Sequence, residues 1–260
     1  GVRIYGMGRN ASADDVKASS KNVTHTLDAR QAAPYAVQLD DVTITSPSAI
    51  NVYAGNGVVD LDLINSTVTN NGKNPVVYLE AETIGAFINN NEFSIANPGR
   101  EYIAVDGSQS NQITNNTFQN PVRGGIFLYR NCGEDGSIRH ATPTSNQITG
   151  NRFVYTSTPL RHGIWVGSRG GKDTIDNPVC SEDSYNGLYD AILPNSSAPA
   201  KKNGDFAYFN TVKNNVFDGW PSTSAYKMAT EDLPSGSLYN GTNGYDLNVR
   251  YNTFSNNTAE

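Results

Sequence analysis

Residues 129–143, YRNCGEDGSIRHATP, form the stretch of this chain richest in side chains that could do chemistry. Arg130, Glu134, Asp135, Arg139 and His140 lie within eleven positions. Arginine binds carboxylates through two parallel hydrogen bonds, and histidine, with a reference pKa of roughly 6.5, can remove a proton near neutral pH. These residue types in one stretch predict a site for an anionic ligand, with His140 as the first candidate for a base.

Cations elsewhere in the chain extend this prediction to Arg161, Arg169 and Lys227. The chain as a whole carries a net charge of −6, and a local basic site on an acidic protein indicates an anionic ligand. Lys227 is the second candidate for a base, if neighbouring positive charge lowers its pKa. Glu134, Glu182 and Asp183 could hold these cations or bind Ca²⁺, but they show no ordered ligand spacing, so no metal site is assigned.

The two cysteines, Cys132 and Cys180, predict one disulfide in an exported protein. Two thiols without clustered histidines are a weak basis for a metal site. The bridge would tie two long segments together and order them over a groove.

An Asn-rich phrase that ends in Phe recurs five times and must position these residues. Its copies are INNNEF (88–93), NQITNNTF (111–118), NQITGNRF (146–153), NTVKNNVF (210–217) and NVRYNTF (248–254), with weaker copies in QLDDVTITS (38–46) and LDLINSTVTNN (61–71). The spacing varies while the phrase stays intact, which is typical of a solenoid with insertions. We expect the Phe to enter the core and the Asn before it to take a left-handed turn and bond the Asn of the next coil.

A second apolar alternation precedes the copies, in AINVYA (49–54), PVVYLE (75–80), YIAVDG (102–107), GGIFLYR (124–130), HGIWVGS (162–168) and AYKMAT (225–230). Period-two alternation predicts strands, so each coil holds at least two. Stacked about 4.8 Å apart, the strands would form parallel sheets with inward columns. The columns are Ile103, Ile126 and Ile164, then Val105, Leu128 and Val166.

The same alignment places the outward residues in rows. One row is Ala104, Phe127, Trp165 and Lys227, and the next is Asp106, Tyr129, Gly167 and Ala229. We expect Phe127, Tyr129 and Trp165 to form an exposed platform that stacks on sugar rings; coverage by inserted loops is the alternative. Insertions at 131–145, 169–208 and 231–244 follow the same type of strand and would form a groove wall beside it.

Composition favours one turn-rich β domain over residues 1–260, since 37% of residues are hydrophobic and only 17% are charged. The acidic balance and the lack of a Lys/Arg run argue against nucleic acid, and no apolar window reaches the roughly 18 to 20 residues of a membrane span. Seven Asn-X-Ser/Thr sequons permit a secreted glycoprotein, although an Asn- and Thr-rich chain also makes sequons by chance. The strand-like start predicts that an upstream segment, a partner chain or a loop covers the first coil.

The repeats resemble the right-handed parallel β-helix proteins of the pectin-lyase-like superfamily over nearly the whole chain. This resemblance implies an all-β, single-domain solenoid with long insertions on one side, in a carbohydrate-active protein. SIRHATPTSNQITGNRF is similar to the Arg-His strand of chondroitinase B and the related alginate lyases, whose arginine acts as the acid and whose lysine acts as the base. Arg139 is the matching arginine; the lysine motif has no clear copy, and Arg130 stands where it would be sought.

RHGIWVGSRGG (161–171) resembles the GHGISIGSxGG segment of polygalacturonases and places His162 on the matching histidine. The paired Asp motifs and the Arg-Ile-Lys of those hydrolases are missing from the chain.

The preferred hypothesis is a secreted lyase that cleaves a uronic-acid-containing polysaccharide by β-elimination. The catalytic candidates are His140, Arg139, Lys227, Arg130 and Glu134, and the substrate-binding candidates are Trp165, Phe127, Tyr129, His162, Arg161, Arg169, Glu182 and Asp183. One alternative is a glycoside hydrolase with two carboxylates among Glu134, Asp135, Glu182, Asp183, Glu231 and Asp232. The other is a non-catalytic carbohydrate-binding solenoid. No cofactor is assigned, and a bound Ca²⁺ ion is kept as an alternative.

Overall fold

Three parallel sheets make up the computed structural model, which describes residues 1–4, 30, 33–129, 141–168, 207–220, 225–230 and 251–260, with the backbone alone for 168 and 226–230. Sheet A contains β1 (Val2–Ile4), β4 (Val52–Ala54), β7 (Val77–Leu79), β10 (Ile103–Asp106), β13 (Ile126–Tyr129), β16 (Ile164–Ser168) and β19 (Tyr226–Thr230). Sheet B contains β2 (Tyr35–Asp40), β5 (Val59–Ile64), β8 (Phe87–Asn89), β11 (Gln112–Thr114), β14 (Gln147–Thr149), β17 (Thr211–Lys213) and β20 (Thr253–Ser255). Sheet C contains β3 (Thr43–Ser46), β6 (Thr67–Asn70), β9 (Glu92–Ile95), β12 (Thr117–Gln119), β15 (Arg152–Val154), β18 (Val216–Asp218) and β21 (Thr258–Ala259).

Each sheet takes every third strand, so the chain visits A, B and C in turn and then repeats. One such trio of strands is called a repeat below. The predicted all-β fold with parallel sheets is confirmed for the described residues, and each repeat holds three strands, which agrees with the expectation of at least two. The described residues contain no helix long and apolar enough to cross a membrane.

The predicted inward columns are confirmed. Ile103 pairs with Ile126, and Ile126 pairs with Ile164, in the register of sheet A. All three side chains are fully buried, as are Val105, Leu128 and Val166. On the sheet C side, four Phe rings stack with centroids 5.2, 4.7 and 4.8 Å apart, which is close to the spacing of β-strands. These rings belong to Phe93, Phe118, Phe153 and Phe217.

Asparagine ladders explain the recurring phrase. At the corner between sheets B and C, Asn91, Asn116, Asn151, Asn215 and Asn257 form one ladder, in which each side-chain amide donates to the carbonyl oxygen of the next at 2.9–3.0 Å. The corner between sheets A and B carries a second ladder of Asn111, Asn146, Asn210 and Asn252. Aligned amides in successive strands bond in this way because the strand spacing matches the hydrogen-bond geometry.

The left-handed turn and the ladder fall on different residues, which refines the expectation that one Asn does both. Asn90, Asn115 and Asn214 have φ of 56°, 55° and 57°, and the residue after each is the ladder residue. Gly150 takes the same place with φ of 70°. Asn and Gly adopt this backbone at little cost.

The predicted alignment of the fifth copy is wrong. Phe254 pairs with Val212 in sheet B, and the partner of Phe217 in sheet C is Ala259. The matching copy is therefore NTFSNNTA, residues 252–259, because Asn252 belongs to the A–B ladder and Asn257 to the B–C ladder.

Three of the seven sequons begin at the B–C corner. Asn65, Asn115 and Asn256 are exposed residues with positive φ, and the Thr two residues later begins a strand of sheet C. The fold therefore accounts for these Asn-X-Thr sequences without glycosylation. The sequons at Asn10, Asn22, Asn195 and Asn240 lie outside the described residues.

Candidate functional site

A cleft of about 170 Å³ lies against the outer face of sheet A, where β10, β13 and β16 begin. Its lining combines cations, aromatic rings and one carboxylate. The lining residues are Gly99, Arg100, Glu101, Arg123, Phe127, Tyr129, Arg161 and Trp165.

The three arginines of the cleft occupy one position in three successive repeats. Arg100, Arg123 and Arg161 each lie three residues before the isoleucine that opens the sheet A strand. Those isoleucines pair in register, and the backbone N–H of Arg161 donates to Val122 O, which sets Arg161 beside Arg123. We call this set the arginine row.

Arg100 is fixed within the cleft. Its Nη2 lies 2.9 Å from Glu101 Oε1 and donates to Tyr129 Oη at 3.0 Å, while Tyr129 donates to the same Glu101 oxygen at 2.8 Å. Burial opposes the charge of Arg100, but the Glu101 carboxylate and Tyr129 outweigh that effect, so the pKa of Arg100 is raised. Arg123 and Arg161 are exposed and form no salt bridge with the residues that the structure describes.

Aromatic rings from two strands form the cleft floor, and the register predicted for them is confirmed. Phe127 pairs with Trp165, and Trp165 pairs with Lys227. The rings of Phe127 and Trp165 meet edge to face at 5.5 Å, and Tyr129 lies 6.2 Å from Trp165.

The predicted exposure of this platform is wrong. Phe127, Tyr129 and Trp165 are only 6%, 2% and 6% exposed. Together with Tyr53, Tyr78 and Ala104 they form an apolar cluster on the outer face of sheet A, separate from the core between the sheets. The indole of Trp165 also lies over Gly167, where a Cβ would collide with it.

The phenols of this outer cluster are paired with carboxylates. Tyr53 donates to Glu80 at 2.6 Å, and Tyr78 donates to the buried Asp106 at 2.8 Å. The pairing of Tyr129 with Glu101 follows the same scheme. Hydrogen bonds to carboxylates satisfy phenols that would otherwise be costly to bury.

Of the other predicted site residues, His162 is half-buried and its ring lies parallel to Trp220, with centroids 6.4 Å apart. It is not among the residues that line the cleft, although Arg161 beside it is. Lys227 is placed by its backbone register alone. The remaining candidates lie outside the described residues. They are Arg130, Glu134, Asp135, Arg139, His140, Arg169, Glu182, Asp183, Glu231, Asp232 and the predicted disulfide partners Cys132 and Cys180.

Sequence reasoning missed Arg100, Glu101 and Arg123. The signal was present, because counting back three residues from the aligned Ile103, Ile126 and Ile164 gives arginine each time. No group of three or more His, Cys, Asp or Glu side chains that could hold a metal occurs within the described ranges.

Comparisons of the chain with protein-family models, with curated proteins and with solved structures find no match in any of the three.

Proposed function

We propose that this chain is a right-handed parallel β-helix of the pectin-lyase-like kind, and that it acts as a secreted lyase on a uronic-acid-containing polysaccharide. The observation that carries the proposal is the arginine row above an aromatic floor in one cleft. Cations suit the carboxylates of such a polymer, and aromatic rings suit the apolar faces of its sugars.

The solenoid part of the proposal is supported by the strand order. Every third strand joins the same sheet, and two asparagine ladders and a Phe stack repeat at the spacing of parallel strands. Stacking of this kind is typical of repeat proteins whose units contact only their neighbours.

The reaction would be a β-elimination. A base removes the proton at C5 of the uronate, the electron pair forms the C4–C5 double bond, and the bond from C4 to the glycosidic oxygen breaks. The leaving oxygen takes a proton from an acid. Negative charge builds on the uronate carboxylate as C5 loses its proton, so cations that bind this carboxylate lower the barrier.

In this scheme Arg123 and Arg161 bind uronate carboxylates, and Arg100 adds a third cation held in place by Glu101 and Tyr129. The base is His140 or Lys227, and Arg139 is the candidate acid. Lys227 has a register position next to Trp165, whose ring lines the cleft. That position supports Lys227 as the base without assigning its side chain.

Hydrolysis is the less favoured reaction at this cleft. A glycoside hydrolase needs one carboxyl group as acid and a second as base or nucleophile. Among the described residues that line the cleft, Glu101 is the one carboxylate, and it is already paired with Arg100 and Tyr129.

A panel of uronic and neutral polysaccharides tests the proposal. Each polymer is incubated with the full chain, and both ultraviolet absorbance of unsaturated sugars and reducing ends are followed. If the chain is a lyase, we expect absorbance and reducing ends to rise together, and only with the uronic polymers. Reducing ends without absorbance would replace the lyase by a hydrolase, and binding without either signal would replace it by a non-catalytic carbohydrate-binding solenoid.

Two variants then address the base. The two variants are Lys227→Met and His140→Ala, and the variant that removes the base should lose the ultraviolet absorbance of the product. Lys213→Gln removes a charge from an exposed position of sheet B and serves as the control. Full activity in both base variants would remove both candidates.

A further inference from the structure

The arginine row keeps its position although the turns that carry it differ in length. The turns between sheets C and A span residues 96–102, 120–125 and 155–163, so they are seven, six and nine residues long. In each turn the arginine still lies three residues before the strand of sheet A. The arginines therefore keep a constant distance in sequence from the strands of sheet A.

Neighbouring strands of sheet A lie about 4.8 Å apart, which is close to the length of one sugar unit in an extended polysaccharide. A chain that runs across the strands of sheet A would place one unit near each arginine. Arg100 is held toward Tyr129, whereas Arg123 and Arg161 are exposed on long flexible stems and can follow carboxylates that point to alternate sides.

We infer that the arginine row selects polymers that carry an acid on every unit, and that it binds three consecutive acidic units across β10, β13 and β16. The inference rests on the proposed use of this cleft for an acidic polysaccharide. A polymer with acids on alternate units would leave the middle of the row facing a neutral sugar, and Arg123 would lose its carboxylate partner.

Binding measured before turnover tests this inference. Rapid-mixing titrations follow tryptophan fluorescence, since Trp165 lines the cleft. The probes are polygalacturonate, with an acid on every unit, hyaluronan, with an acid on alternate units, and dextran as the neutral polymer. We expect polygalacturonate to bind at least about tenfold more tightly than hyaluronan, as one additional charge-assisted pair predicts.

Variants of the row sharpen the test. Arg123→Gln should weaken polygalacturonate binding about tenfold and hyaluronan binding much less, and it should reduce the salt dependence of binding by about one counterion. Arg123→Lys should keep the salt dependence but bind more weakly, because an ammonium cannot make the two parallel hydrogen bonds. Lys213→Gln removes an exposed charge from sheet B and should leave the affinity for both polymers unchanged.

A gain of binding provides a second test. Asn74 matches Arg100 by sequence count, since it lies three residues before Val77; it is exposed and follows Lys73, whose carbonyl accepts from the Gly99 N–H. Asn74→Arg should lengthen the row by one cation and tighten polygalacturonate binding, with little effect on short oligomers of three units.

The inference is overturned if the two acidic polymers bind equally to the unaltered chain, if neither binds, or if Arg123→Gln behaves like Lys213→Gln. These outcomes differ from failure of the lyase proposal. Unsaturated product without a preference for contiguous acids would contradict the inference alone, and an arginine-dependent preference without unsaturated product would contradict the lyase alone.

Discussion

Replacement of Asn151 by Ala should cost more stability than almost any other polar substitution in the described part of this fold. The Asn151 side chain is fully buried in the middle of the B–C ladder. Its oxygen accepts from the backbone and side-chain nitrogens of Asn116, both at 3.0 Å, and its amide donates to Ile113 O at 2.8 Å and to Asn215 Oδ1 at 3.0 Å.

The magnitude follows from which partners would be left without a bond. The Asn116 side chain still donates to Ile88 O, and Asn215 Oδ1 still accepts a hydrogen bond from the backbone N–H of residue 151. The backbone N–H of Asn116 loses the acceptor that the ladder supplies. A buried donor left unpaired costs about 1–3 kcal/mol, and each of the three other lost bonds costs up to about 1 kcal/mol. We therefore expect a loss of about 1–6 kcal/mol in the free energy of unfolding.

Urea unfolding followed by circular dichroism and by fluorescence measures this loss. Asn115→Gly is the matched control. Asn115 is exposed, its backbone is left-handed with φ of 55°, and glycine accepts that backbone, so we expect a change within about 0.5 kcal/mol. A loss below about 1 kcal/mol for Asn151→Ala, or one equal to that of the control, would refute the claim that the buried ladder holds the repeats in register.

Two further predictions concern the cleft floor and the response to pH. Gly167→Val should displace the indole of Trp165, because a Cβ at residue 167 collides with that ring. The displaced indole should be more accessible to a soluble quencher of tryptophan fluorescence. Unchanged quenching would contradict this contact. Burial raises the pKa of Tyr102 to about 12, whereas the unfolded phenol has a value of 10.0. Because the pKa of Tyr102 is higher in the folded than in the unfolded chain, its neutral phenol contributes stability that is fully present below the unfolded pKa and is lost as pH rises toward the folded pKa. The free energy of unfolding should therefore fall between pH 10 and pH 12 by up to about 1.4 kcal/mol per pH unit. A Tyr102→Phe variant with the same alkaline slope would contradict that assignment.

The strands and their inward columns could be predicted because alternation determines which face each residue takes. Ile103, Ile126 and Ile164 fall in line once the strands are aligned, and no knowledge of the turns is needed. Alternation also gave the outward direction of Phe127 and Trp165. It could not give their exposure, because coverage depends on neighbouring rings such as Tyr78 and on how the indole lies over Gly167.

The fifth copy of the phrase was misaligned because the fold contains two ladders and a short phrase fits both. NTF at residues 252–254 matches NTV at 210–212 as well as the end of the B–C phrase, and a Phe can occupy either inward column. Hydrogen bonds of Asn252 and Asn257 decide the register, and they are visible only in three dimensions.

The ladders also explain why the cations lie where they do. Two of the three corners are occupied by asparagines that bond from repeat to repeat, so a change of residue there disturbs the stack. At the corner between sheets C and A, no asparagine of the described residues bonds an asparagine of the next repeat, and the turns differ in length. Side chains at this corner do bond between repeats, since Asn120 Oδ1 accepts from the backbone N–H groups of Thr156 and Ser157, but among the described residues these bonds do not form an asparagine ladder. Side chains at such a corner can be replaced without loss of the fold. In three successive repeats this corner carries an arginine of the arginine row. Each arginine is therefore tied in sequence to the start of a sheet A strand, and under the proposed function the side chains at that corner determine which ligand the cleft binds.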